Sequence, residues 1–131
     1  MQTTLRSLIE RCNAEVLEHL DREVTIPVLT SLQAQGDLLV VPVPDDIDHS
    51  SWSPVPPSGI VVLQGQHDHR LLADGDVAFA PDVVGQRLGW LRVSGVAWLL
   101  HQEHGGSGIG TGTYELRRQR EQAQEQRLVA D

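Results

Sequence analysis

A chain of 131 residues is the usual size of one domain and long enough to bury a single core. Its formal net charge of −8 at pH 7 repels phosphate backbones, which disfavours a nucleic-acid binder. With one cysteine, Cys12, no intrachain disulfide forms and a reducing cytoplasm is the expected compartment; no basic-then-apolar leader opens the chain, and no apolar run reaches the roughly 20 residues that span a bilayer.

Residues 1–23 predict an amphipathic helix. Leu5, Leu8, Ile9, Cys12, Val16, Leu17 and Leu20 recur at three and four residues and draw one apolar stripe, with Thr3 or Thr4 as the cap. Glu15, Glu18, Asp21 and Glu23 load its end with acid, against the helix dipole, so burial of the stripe has to hold it. That burial is on its own domain or, alternatively, on a second copy, which makes the helix the candidate element for self-association. Cys12, on the stripe, reads as an inert buried thiol.

From residue 37 to residue 120 the pattern changes to short apolar runs between turn formers. Seven of them read as strands: Asp37–Val43, Gly59–Gly65, His69–Ala73, Asp76–Pro81, Leu88–Ser94, Val96–Gln102 and Thr113–Gln119. Their spacing predicts a mainly β fold, an antiparallel barrel or sandwich, with an aliphatic core because the chain has only five aromatic residues. The proline-rich stretch Pro44–Gly59 is a long loop and a candidate partner contact through Trp52, while Trp90 and Trp98 belong to the core or a sheet face. Five glycines in Gly105–Gly112 predict a flexible hairpin loop; a phosphate loop would need a lysine and a following helix, and this segment has neither. The arginines of Arg117–Arg120 are expected to pair with local acids, and residues 121–131 form a polar tail. All of this fits one domain spanning residues 1–131.

Two histidine pairs carry the candidate chemistry. His67 and His69 are two residues apart and share a face if they lie on one strand; His101 and His104 come from a later strand that an antiparallel sheet can set beside the first. Neutral imidazoles suit a divalent transition metal, Zn, Fe, Ni or Mn. Glu103, on the face of His101 if that strand continues, is the candidate general base beside a metal-bound water. His, Asp and Gln are also ordinary turn residues, and "GQHDHR" sits where a hairpin turn belongs. His19 and His49 read as solvated surface residues.

A glycine-flanked His-x-His followed by Val/Leu-rich strands and a later His resembles the metal-binding half of a cupin. The resemblance implies a double-stranded β-helix in which His67 and His69 match the first ligand pair and His101 or His104 the later one. It also departs from that pattern: a Glu is expected a few residues after His69, where this chain has Ala73, Asp74 and Asp76. The run from "HRLL" through "LLHQEHGG" and "GTGTYELRRQRE" is similar to short bacterial and phage-borne proteins that open with a "QGDLLVVPV"-like strand. The expectation is a small metal-binding accessory or binding protein in a bacterial or phage-encoded assembly. The alternatives are a cupin-type metal enzyme and a metal-free oligomeric interaction protein.

Overall fold

The computed structural model describes residues 2–12, 14, 16 and 20–119. One helix, α1 (Leu5–Cys12), precedes eleven strands: β1 (Val28–Leu29), β2 (Gln33–Gln35), β3 (Leu38–Val43), β4 (Ser53–Pro54), β5 (Ile60–Leu63), β6 (His69–Asp74), β7 (Val77–Val84), β8 (Arg87–Val93), β9 (Val96–His101), β10 (Gly105–Ile109) and β11 (Gly112–Arg118). They form two open sheets, of order β1-β10-β9-β6-β5 and β2-β3-β11-β8-β7-β4. The arrangement is therefore a sandwich and not a closed barrel. All pairings are antiparallel except β1 with β10.

Alternation along the strands builds the core. Leu38 and Val40 of β3, Leu91 and Val93 of β8, and Tyr114 and Leu116 of β11 face Leu71 and Ala73 of β6, Ala97 and Leu99 of β9, and Ile109 of β10 across the two layers. The opposite face of the six-stranded sheet is polar. There Glu115 sits between Arg87 at 2.7 Å and Arg117 at 2.9 Å, and the Arg87 guanidinium lies 4.4 Å over the Trp90 ring. Arg117 thus meets the local acid expected of it; Arg120 and the tail lie outside the described residues.

The central strands β6 and β9 of the five-stranded sheet are buried on both faces, which explains why "RLLAD" and "AWLLH" read as unbroken apolar runs. Its outer face, Leu72, Trp98 and Leu100, is covered by Leu5, Leu8, Val16 and Ile26. The helical stripe therefore packs on its own domain. α1 is shorter than the periodicity predicts, ending at Cys12, and among the residues described beyond it Ala14, Val16 and Leu20–Glu23 are not helical. Ala14 N–H still donates to Ile9 O at 3.1 Å. The C-terminal acids explain the difference, since a helix extended to Glu23 would carry four carboxylates on the negative end of its dipole. Arg11 fixes the helix to β6 through an ion pair with Asp74 at 2.9 Å and a hydrogen bond to Ala73 O, and Trp98 Nε1–H donates to the same carboxylate at 2.6 Å.

The glycine-rich segment 105–112 is not a loop. Gly105–Ile109 is a full strand, paired residue by residue with β9. Close approach requires glycine at position 108, where a Cβ would stand 2.6 Å from Pro27 O and 2.9 Å from the Trp98 ring. The segment before β1 thus lies directly on the backbone of β10. Among the described residues no helix is long and apolar enough to cross a membrane.

Candidate histidine pocket

Three connections meet at one end of the sandwich: the Gly36–Asp37 turn between β2 and β3, residues 64–68 between β5 and β6, and residues 102–104 between β9 and β10. They bring both histidine pairs together. His69 and His101 have ring centroids 4.2 Å apart at 33°, His101 and His104 4.7 Å apart at 31°, and His67 meets His101 edge-on at 5.9 Å. The four imidazoles, Asp37 and Glu103 line one cavity of about 90 Å³.

The local structure behind each ring differs from the sequence expectation. His67 lies in the turn and not on a strand, and only His69, the first residue of β6, belongs to the sheet. The two rings share a site because the hairpin connection folds back, not because of strand alternation. β9 ends at His101, so Glu103 is a turn residue; its carboxylate pairs with His67 Nε2 at 3.0 Å instead of lying on the face of His101. His49 is elsewhere, 3.7 Å from Asp45 and edge-on to Trp52, and His19 lies outside the described residues.

Hydrogen bonding assigns the tautomers of two rings. Gln35 is 3% exposed, and its side-chain amide donates to Leu99 O at 3.0 Å and to Ser107 Oγ at 3.2 Å, which leaves Oε1 facing His69 Nδ1 at 2.9 Å. His69 therefore carries its proton on Nδ1 and keeps the Nε2 lone pair. His101 has the opposite form. Its Nδ1 accepts the backbone N–H groups of Glu103 at 3.1 Å and His104 at 3.2 Å, which caps the turn and places the proton on Nε2.

Burial decides the charge state. His69 is pushed from 6.5 down to about 4, first by burial, then by repulsion from His101 and His104, with Asp37 and Asp68 opposing. His101 is lowered as well, by burial and then by His104, with Glu103 opposing. A stack of imidazoles this close holds together only while its members are neutral, and at pH 7 these two are.

The turn residues of the β2–β3 hairpin complete the pocket. Gly36 has φ +58°, and a Cβ there would stand 2.7 Å from His104 Nε2 and 3.6 Å from His69 Cε1. Asp37 Oδ1 is buried with no hydrogen-bond partner. In the sequence Asp37 reads only as the start of a strand, and a Gly-Asp turn beside a Gln is too common to mark a site; the one local signal is the polar Gln at the end of a strand.

Whether these donors suit a metal ion has a divided answer. Donor chemistry fits: imidazoles with lone pairs, an orphaned carboxylate oxygen, and a glycine whose missing side chain leaves room. Spacing does not yet fit, since among the described residues no three His, Cys, Asp or Glu side chains converge on one ion position.

A family model described as a domain of unknown function (DUF8820) matches residues 34–119, from β2 to the end of β11 and so including every pocket residue. No curated protein and no solved structure matches the chain.

Proposed function

The chain belongs to this DUF8820 family, and we propose that the histidine pocket captures one divalent transition metal ion, Zn, Fe, Ni or Mn, in a binding or accessory role. The observation that carries the reading is the meeting of His67 and His69 with His101 and His104, from segments more than thirty residues apart, around one cavity. Neutral imidazoles are the ligating form, and the low proton affinity of His69 keeps its lone pair available well below neutral pH. Gln35 serves as the outer partner that fixes the His69 tautomer, as metal-binding histidines commonly require. Loading needs the stacked rings to turn toward the ion.

Size favours binding over catalysis. A cavity of about 90 Å³ holds a few water molecules, whereas pockets for drug-sized ligands run from roughly 300 Å³ upward. Glu103 is paired through Oε1 to His67 Nε2 at 3.0 Å, which supports a place in the pocket lining over the general-base role.

Elemental analysis of the purified full chain tests the reading, beside a His67→Ala/His69→Ala double variant whose folding is checked by circular dichroism. We expect about one equivalent of metal in the wild type and its loss from a folded double variant. Equal metal content in the two proteins overturns the proposal.

A further inference from the structure

Of the six large apolar side chains exposed among the described residues, four fall in one short run: Val24, Val28, Leu29 and Leu32, the last 60% exposed. Residues 24–36 carry no charged side chain, in a chain whose formal net charge is −8. The other exposed pair, Val83 and Val84, stands at the tip of the β7–β8 hairpin beside the Asp82–Arg87 ion pair.

Topology lays the neutral run along one side of the sandwich. β1 is the last strand of the five-stranded sheet and β2 the last of the six-stranded sheet, with only residues 30–32 between them, so both layers end there in strand edges. The Gln33 side-chain amide ties the two together by donating to Gly108 O at 3.0 Å. Pro27 O and Leu29 O accept Gly108 N–H at 3.1 Å and Gly110 N–H at 2.8 Å. A strand residue turns its N–H and C=O to one side and its neighbours turn theirs to the other, so Val28 and Thr30 direct theirs away from β10. Pro27 falls on the paired side, and its missing N–H leaves the outward row intact. The chain's own start covers this edge as far as Ile26, whose N–H donates to Thr3 O at 2.9 Å; beyond it no described strand pairs there. Register sets Leu29 against the buried Ile109 and Val28 against Gly108, so the open edge presents an apolar side chain on each face. The opposite side of the sandwich, β5 and β4, is guarded: Pro54 lies in β4, and Pro56 and Pro57 follow it, residues that discourage strand addition.

We infer that the β1 edge and the neutral run after it are the contact between two copies of this chain. Two chains of net charge −8 repel each other over most approaches, and this side lets them meet without carboxylates facing carboxylates. A foreign partner chosen by charge would be drawn to the acidic surfaces instead. A two-fold axis at Leu29 sets Val28 of each copy opposite Thr30 of the other in antiparallel pairing and joins the two five-stranded sheets into one. Self-association thus moves from the helix, whose stripe is buried on its own domain, to the sheet edge. The nine exposed residues between 24 and 34 are fewer than the roughly 20–30 a side of a standard interface, so the dimer is reversible and its population rises with concentration. The inference is independent of the histidine pocket.

Sedimentation equilibrium of the full chain over a rising concentration series tests it. The expected mass climbs from the 14.4 kDa of one chain toward twice that value. Leu32→Lys, at a position exposed enough to accept it, should weaken the dimer at least tenfold by setting like charges across the axis, while Val84→Lys on the hairpin should leave it unchanged. Thr30→Pro deletes an outward N–H and no bond to β10, and should also weaken it, with circular dichroism confirming the fold of each variant. A wild type that keeps the mass of one chain at every concentration overturns the inference. So does a dimer that Leu32→Lys leaves intact, or one that Val84→Lys weakens equally. Hydrogen exchange of the wild type reads the edge without any substitution: the Val28 and Thr30 amides should exchange more slowly as the dimer forms, and unchanged exchange refutes the pairing.

Discussion

Acid should loosen the metal-free protein through His69 before its carboxylates titrate. In the unfolded chain this imidazole protonates near 6.5, and in the folded protein near 4, so between those values the unfolded state binds more protons and stability falls with pH. The contribution is fully present above pH 6.5, shrinks as pH falls toward 4, and levels off below. Linkage gives a loss of about 2 kcal/mol between pH 7.5 and pH 5, out of about 3 kcal/mol over the whole interval. His101 adds in the same direction. Asn is the informative replacement, because its side-chain N–H₂ stands close to where Nδ1–H stands and retains a donor toward Gln35 Oε1. Urea unfolding of chelator-treated wild type and His69→Asn at pH 7.5 and 5.0 measures the difference. The variant should lose about 2 kcal/mol less than wild type over this pH step. Equal losses in the two proteins would refute the assignment of a buried, neutral His69.

Two further outcomes test the supports of the pocket and the helix. Gly36→Ala places a Cβ 2.7 Å from the His104 ring in a left-handed backbone conformation, so it should lower stability by about 1–3 kcal/mol, read as a fall in urea midpoint. Leu8→Ala empties a fully buried position between α1 and the outer face of the five-stranded sheet and should cost about 2–5 kcal/mol, with a matching drop in melting temperature.

All seven strands expected from the sequence are present, and most carry a side-chain pattern that burial enforces: alternation in β3, β7 and β8, continuous apolar runs in β6 and β9. The four strands left unread lack that signal. β1 and β4 have two residues each, β2 is Gln-Ala-Gln, and β10 is mostly glycine because other segments lie against its backbone. In the pocket, His67, His69, His101 and His104 were legible as two pairs that an antiparallel sheet could join, and β6 pairs with β9 as that required. Gln35 and Asp37 were not, since their roles depend on a contact between sheets that no local pattern encodes. The division of labour among the rings was also hidden, because it follows from which backbone donors face His101.

Gln35 belongs to the six-stranded layer, yet every partner of its side chain, in His69, Leu99, Gly105 and Ser107, belongs to the other. Asp37 and the histidines are divided between the layers in the same way. An isolated sheet, or a chain halfway through assembly, would hold only part of this set, so occupancy would report that the halves have closed. A ligand bound there would also act as a clasp: at a hundred times its dissociation constant it would favour the closed state by about 2.7 kcal/mol.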